Sequence, residues 1–273
     1  MQVIYKSAEQ IEAIRISSLL VGDTLAEVAS RISPGIRTID LDRIAEAFIR
    51  DNHAEPAFKG YHGFPATLCI SVNSEVVHGI PGNRELKDGD VVSIDCGVNK
   101  NGFFGDSAYS FVIGEVPAKT TELLQVTKKC LMRGVAKAVD GLRIGDISEA
   151  VQDLAESHGF GVVRELVGHG VGLKLHEKPE VPNFGKKGTG LLMKTGLVIA
   201  IEPMINAGRK QVKQLKDGWT IVTADGMPSA HFEHTVAVAS DKPDVLSSFE
   251  KIEIAEANNI NLGKPHQLQE LNG

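Results

Sequence analysis

An α+β protein made of two related halves is the fold class that the sequence predicts, and three observations predict it. Gly35–Phe48, read GIRTIDLDRIAEAF, aligns without a gap on Gly141–Leu154, read GLRIGDISEAVQDL, with Gly, Arg and Asp identical and several apolar positions exchanged like for like. Val92-Ser93-Ile94-Asp95 and Ile199-Ala200-Ile201-Glu202 match in apolar pattern and in ending on a carboxylate, at nearly the same offset. In each half, helical periodicity precedes strand-like runs. Either match alone could be chance; together and in order they imply helix, helix and antiparallel strands twice over. The expected architecture is a curved antiparallel sheet with helices outside, pseudo-twofold symmetry and a site between the halves.

In chain order, Ser7–Ile32 carries Ile11, Ile14, Leu19, Leu25, Val28 and Ile32 at helical intervals. Ser7 and Gln10 fit a capping box, a break is allowed near Gly22-Asp23, and Pro34-Gly35 ends the helix. A second helix is expected from Ile39 to Asn52, with Leu41, Ile44, Ala45 and Phe48 on one face. Ala66–Asn73 reads as an alternating strand, and Glu75–His78 leads into the turn Gly79-Ile80-Pro81-Gly82. Pro117–Val139 and Asp146–His158 are the later helices, the second ended by Gly159. Val162–Val167 enters a glycine-rich run, Leu197–Ile201 is a buried strand ending at Glu202, Asp217-Gly218 marks a hairpin turn, and Phe232–Ala239 closes the core. After about Asp241 the pattern weakens. Residues 1–240 are therefore expected to form one domain and residues 241–273 a polar C-terminal extension whose end is mobile.

Composition narrows the class. With 273 residues, 42% hydrophobic and 23% charged, the chain has material for a large core. A formal charge of -6 argues against a protein held to nucleic acid by net charge, and no specific nucleic-acid partner is expected. MQVIYKSAEQIEAIR has no apolar signal core and no run approaches a membrane span, so cytoplasmic localisation and no membrane contact are expected. Cys69, Cys96 and Cys130 form no CxxC pair and indicate neither disulfides nor a zinc knuckle.

Chemistry concentrates in Val91–Phe111, which reads as a β-hairpin turning at Asn99-Lys100-Asn101-Gly102. A turn centred between Lys100 and Asn101 sets Asp95 opposite Asp106, two carboxylates roughly 5 Å apart on one face of a sheet. Such a pair needs a cation, a shared proton or solvent. A water-facing hairpin with two incidental aspartates is the competing reading of this stretch alone.

Other residues supply partners. His169 lies between glycines in Gly168-His169-Gly170-Val171-Gly172, where a helix is disfavoured and close backbone approach is expected. Glu202 ends a buried strand, where a carboxylate is costly unless paired or coordinated. In His231-Phe232-Glu233-His234, period two separates Glu233 from His234, and either face could point inward. Asp95, Asp106, His169, Glu202 and Glu233 thus form a candidate set of four carboxylates and one imidazole. Such donors suit Mn, Fe, Co or Zn, and two divalent ions would match four negative charges. The GxSxG and GxxxxGK[ST] motifs are absent, and His231-Phe232-Glu233 lacks the C-x-x-C that a zinc deaminase adds to H-x-E.

At these residues the chain resembles the type I methionine aminopeptidases of the pita-bread metallohydrolase family, over about Ser7–Ser240. The resemblance rests on Tyr61-His-Gly-Phe-Pro65, Cys69-Ile-Ser71, Val77-His-Gly-Ile-Pro81, Ile94-Asp-Cys-Gly97, Gly105-Asp-Ser107, Gly168-His-Gly-Val-Gly172, His176, Ile201-Glu-Pro-Met204, Asp217-Gly-Trp219 and Glu233-His-Thr235. It implies two divalent ions, with Asp95 on one, His169 and Glu202 on the other, and Asp106 and Glu233 bridging. It implies attack by a metal-bridging hydroxide on the first peptide bond, proton transfer by Glu202, and hydrogen bonds from His78 and His176 to the substrate. It also implies a methionine pocket of Tyr61, Phe64, Cys69 and Trp219. Leu166 and Leu175 stand where the family often carries aromatic residues, and Ser107 where Thr is frequent.

The implied activity is removal of the initiator methionine from nascent proteins with a small second residue, by a monomer in transient proximity to the ribosome. An Xaa-Pro aminopeptidase or prolidase shares ligands and fold but usually carries an additional N-terminal domain, whereas 77 residues precede His78 here. A non-enzymatic binding protein of the same fold characteristically loses ligands, and here all five positions are filled.

Overall fold

Both repeats seen in the sequence start their helices at equivalent residues. The computed structural model describes residues 2–264. Its first half contains α1 (Ala8–Arg31), α2 (Thr38–Asp51), β1 (Glu55–Pro56), β2 (Leu68–Val72), β3 (Glu75–Val77), β4 (Val91–Lys100) and β5 (Phe103–Val112). The second contains α3 (Ala118–Val135), α4 (Ile144–Ser157), β6 (Gly161–Val162), β7 (Gly168–Gly170), β8 (Glu177–Val181), β9 (Val198–Ile201), β10 (Met204–Asn206), β11 (Val212–Gln214), β12 (Ile221–Thr223), β13 (Ser229–His231) and β14 (His234–Ala237). A short β15 (Asp244–Val245) and α5 (Glu250–Asn258) follow.

The repeat has a physical basis. Gly35 and Gly141 both take left-handed backbone, with φ of 87° and 85°, which lets each chain turn sharply into its helix. Arg37 and Arg143 then stand at the two N-caps, each in an isolated antiparallel bridge, and Asp40 and Asp146 occupy the first turns. Asp146 Oδ2 accepts the Arg143 amide at 2.7 Å, so α4 begins at Ile144, two residues before the expected start.

In the first half β4 pairs with β1, β2 and β5; in the second β9 lies between β7 and β14. The sheets of the two halves meet along β5 and β14. There Ser107 Oγ donates to the Glu233 carbonyl at 2.7 Å, the Glu233 amide to the Ala108 carbonyl at 3.0 Å, and Thr235 Oγ1 to the Asp106 carbonyl at 2.8 Å.

The β4–β5 hairpin turns one residue later than the spacing suggested. Lys100 pairs with Phe103, leaving Asn101 and Gly102 as a two-residue loop with φ of 55° and 82°. Asn-Gly accepts two left-handed residues, and Asn99 Oδ1 takes the Gly102 amide at 3.1 Å, so this turn wins over one centred before Asn101. Asp95 consequently faces Ala108, and Asp106 faces Gly97. The register moves by two residues, which preserves the side-chain face, so the aspartates become diagonal neighbours on one surface.

The Asp217-Gly218 turn organises a much longer hairpin. One register, centred between those residues, runs from Gln214↔Ile221 through Met204↔His231 to Val198↔Ala237. Glu202 and Glu233 fall in the short gap between its paired segments, on opposite arms.

Other expectations need adjustment. Helix α1 is continuous through Gly22, where a Cβ would lie 2.6 Å from the Ser248 carbonyl oxygen; that glycine admits a neighbouring segment. All five residues of β2 are buried, because elements cover both of its faces, so no alternation results. Beyond residue 240, β15 pairs with β14, α5 packs on α1, and Glu256 Oε2 accepts a hydrogen bond from the Tyr109 hydroxyl at 3.0 Å. The expected mobile end lies outside the described residues.

Thr235 carries one of the hydroxyls at the seam, also accepting the Asp106 amide at 3.3 Å. Thr235→Val leaves that buried amide and carbonyl without this partner, and the expected loss is about 1–3 kcal/mol. Urea unfolding should show a lower midpoint at unchanged slope.

Candidate metal centre

Five polar side chains converge where the β4–β5 hairpin meets β7, β9 and β14. Asp95 is within hydrogen-bonding reach of Asp106. Strand β7 threads between β8 and β9, and Gly168 permits this: a Cβ there would lie 2.3 Å from the Ala200 carbonyl oxygen. His169 is thereby set beside the carboxylates. Its Nε2 lies 3.5 Å from Glu202 Oε1 and 3.8 Å from Asp106 Oδ2. Its Nδ1 sits 2.9 Å from the Gly170 carbonyl; donating there, it leaves the Nε2 lone pair facing the acids. Ligand atoms of Asp106, His169 and Glu233 all lie within 4.8 Å of one another.

Electrostatics show what this arrangement costs. Burial pushes Asp95 up to about 7, against the lowering effect of hydrogen bonds from Asp106 and the Cys96 amide. Burial, then charge from neighbouring carboxylates, raises Asp106, Glu202 and Glu233 well above the ordinary range. The imidazoles at ion-pair distance do not relieve this, because burial holds His169 and His231 near 3, neutral at physiological pH. Asp95 Oδ1, Asp106 Oδ1 and Glu233 Oε1 are buried without a hydrogen-bond partner among the described residues. Buried acceptors of this kind are rare unless something else satisfies them. The donor set, four carboxylates and one neutral imidazole, fits hard or borderline divalent cations.

A cavity of about 550 Å³ reaches this cluster. Tyr61, Phe64, Cys69 and Trp219 line it, together with His78, His176 and all five candidate ligands. Phe64 and Trp219 meet edge to face at 5.1 Å between ring centroids. Trp219 is placed by an Asp217 turn, whose Oδ1 accepts the Trp219 and Thr220 amides, each at 2.9 Å. His78 adopts φ of 60°, uncommon for a residue with a side chain, just before Gly79, whose missing Cβ lets the chain pass against Ile70.

His176 Nδ1 lies 2.9 Å from the Tyr61 hydroxyl, and the His176 ring centroid lies 4.2 Å from that of His169. Burial, then the neighbouring His78 and His62, lowers His176 to about 4, so it is neutral near pH 7. With the phenol donating to Nδ1, Nε2 carries the proton and is a donor. Tyr61 is therefore placed to set a histidine tautomer, beyond the pocket wall expected of it.

Two residues at the site were missed as participants. His231, considered only as part of an H-x-E triplet, is 1% exposed, with Nε2 3.8 Å from Glu202 Oε2. Its period-two relation to Glu233 was the available signal. Phe58 lines the cavity and fills the space beside Gly97, where a Cβ would lie 2.5 Å from its ring; nothing local in the sequence signals that contact.

An α+β frame with a carboxylate-rich candidate metal centre at the junction of two similar halves defines a metallohydrolase of the pita-bread type. Residues 12–240 match Metallopeptidase family M24, and the chain belongs to that family, in its branch of type I methionine aminopeptidases. A methionine aminopeptidase from Clostridium perfringens is 50% identical over 245 residues, 90% of this chain and 98% of the relative. The crystal structure of methionine aminopeptidase from Rickettsia prowazekii superposes with a TM-score of 0.89 at 38% identity, over 90% of this chain and 100% of that one. The prolidase from Pyrococcus horikoshii OT3 shares the fold, with a TM-score of 0.74 at 21% identity, over 90% of this chain and 63% of its own.

The carboxyl shifts give a measurable sign. A raised folded-state pKa stabilises at low pH and loses that contribution as pH rises from the unfolded value, about 4, through the folded value, each unit being worth about 1.4 kcal/mol. In chelator-treated protein, Asp95→Asn should therefore gain stability relative to wild type between pH 4 and about 7. The same substitution should shrink the rise in Tm that added Mn²⁺ produces.

Proposed function

We propose that the protein removes the N-terminal methionine of nascent chains whose second residue is small, using two divalent ions held by Asp95, Asp106, His169, Glu202 and Glu233. The observation that carries this is one cavity lined both by an aromatic and thiol sleeve and by the carboxylate cluster. Relatives up to 50% identical that bear the name methionine aminopeptidase support the same reading.

The chain's own groups divide the work. Tyr61, Phe64, Cys69 and Trp219 offer an apolar slot with aromatic edges, which suits an unbranched thioether. A free α-amino group would offer its lone pair to a divalent ion held beside that slot, which a peptide nitrogen cannot do, so the site favours a chain terminus over an internal peptide bond. His176, with Nε2 protonated, donates a hydrogen bond to the oxygen that gains charge as the carbonyl is attacked, and His78 donates to the substrate amide. Glu202, in the carboxylate form that bound cations would stabilise, would accept a proton from the attacking water and pass it to the leaving amine. Divalent ions bound there supply Lewis-acid polarisation and balance the four carboxylate charges.

Mn, Fe, Co and Zn all suit these donors, and availability decides among them. No helix of the described residues is long and apolar enough to cross a membrane. The proposed setting is the cytoplasm, with the protein monomeric and in transient contact with ribosomes that expose nascent N-termini.

The test is release of methionine from Met-Gly-Met and Met-Ala peptides after chelation and readdition of single metals. Chelation should abolish activity and at least one first-row ion should restore it, with Met-Gly cleaved far faster than Met-Leu. Cleavage confined to Xaa-Pro bonds, or no cleavage with any ion, would refute the proposal.

A further inference from the structure

One fully buried ion pair takes no part in that chemistry. Lys6 Nζ lies 2.6 Å from Glu177 Oε2, with the two side chains 0% and 2% exposed. Lys6 precedes α1, whereas Glu177 opens β8 directly after His176. The pair thus ties the start of the chain to the loop that carries a substrate-facing histidine.

Both ends of the tie are anchored. The Lys6 amide donates to the Gly196 carbonyl at 2.7 Å, Tyr5 bridges Leu197, and Lys6 Nζ also donates to the Ile4 carbonyl at 3.2 Å. Glu177 Oε1 accepts the amides of Leu173 and Lys174 at 2.8 and 3.0 Å, closing the turn that precedes His176. Gly172 opens that turn with φ of 143°, and a Cβ there would lie 3.0 Å from Lys6 Cε and 2.6 Å from Ile14 Cδ1. The lysine stem therefore runs close beneath the turn while its ammonium holds the carboxylate that closes it.

We propose that Lys6 and Glu177 are positioning residues for His176: their buried ion pair fixes the Gly172–His176 turn so that the imidazole meets both the Tyr61 hydroxyl and the substrate. This rests on the reading of His176 as a donor to the substrate. A turn closed by one carboxylate oxygen moves as that carboxylate moves, and the ammonium restrains its other oxygen. Displacing a catalytic donor by about 1 Å can cost up to about 100-fold in rate.

The experiment compares wild type, Lys6→Met, Lys6→Met/Glu177→Gln, His176→Ala and Lys6→Met/Glu177→Gln/His176→Ala, all full length and loaded with Mn²⁺, on a Met-Ala peptide. Lys6→Met alone strands a buried carboxylate and can unfold the protein. Lys6→Met/Glu177→Gln removes both charges and keeps an oxygen for the two turn amides. That charge-free double variant should bind Mn²⁺ as wild type does, lose about 10- to 100-fold in kcat with KM changed little, and exchange the Leu173 and Lys174 amides faster. In the His176→Ala background, Lys6→Met/Glu177→Gln should lower kcat no further. Wild-type kcat in Lys6→Met/Glu177→Gln overturns the inference, as does an equal loss from that double substitution with and without His176. An unimpaired His176→Ala overturns the reading of His176 as a substrate donor, and this inference with it.

Discussion

The structure depends on keeping like charges together in a dry seam. Four carboxyls share a junction with two neutral imidazoles, and burial raises the pKa of every acid in it. An apolar replacement would fold more readily, since buried, unpaired acids are among the costliest groups a core can hold. Their retention is intelligible when cations complete them, and the surrounding fold reads as the frame that holds the donors close despite their repulsion.

That frame uses backbone where side chains would fail. Asp106 and Glu233 are fixed by the Ser107, Ala108 and Thr235 hydrogen bonds across β5 and β14, so the acids need not hold one another. Glycines at 168 and 97 remove the side chains that would keep neighbouring elements out. The same economy appears in the register centred on Asp217-Gly218, which aligns Glu202 with Glu233 and also places Trp219 at the cavity. A single turn therefore contributes to both the candidate metal centre and the pocket.

The histidines proposed to face substrate are held differently from the candidate ligands. His169 is locked within a strand, whereas His176 sits in a glycine-opened turn restrained by Tyr61 on one side and Glu177 on the other. A donor that must meet a changing substrate oxygen benefits from restraint through polar contacts more than from burial within a sheet. The N-terminal residues consequently belong to the site's architecture, although they line none of it.

The sequence by itself determined the two-halved plan, the capped start of α1, the five candidate ligands and the shared face of Asp95 and Asp106. These follow from local rules: helical period, turn chemistry, and a period of two that survives a shift by two residues. The pairing of that hairpin was misplaced because the choice between turns depends on the conformations of Asn101 and Gly102. Only the tertiary structure decided that His231 approaches Glu202, that the Tyr61 hydroxyl meets His176, and that Lys6 reaches Glu177. The last two contacts join residues 115 and 171 positions apart. No local period encodes such meetings; they exist because sheets and loops distant in sequence enclose the same dry volume.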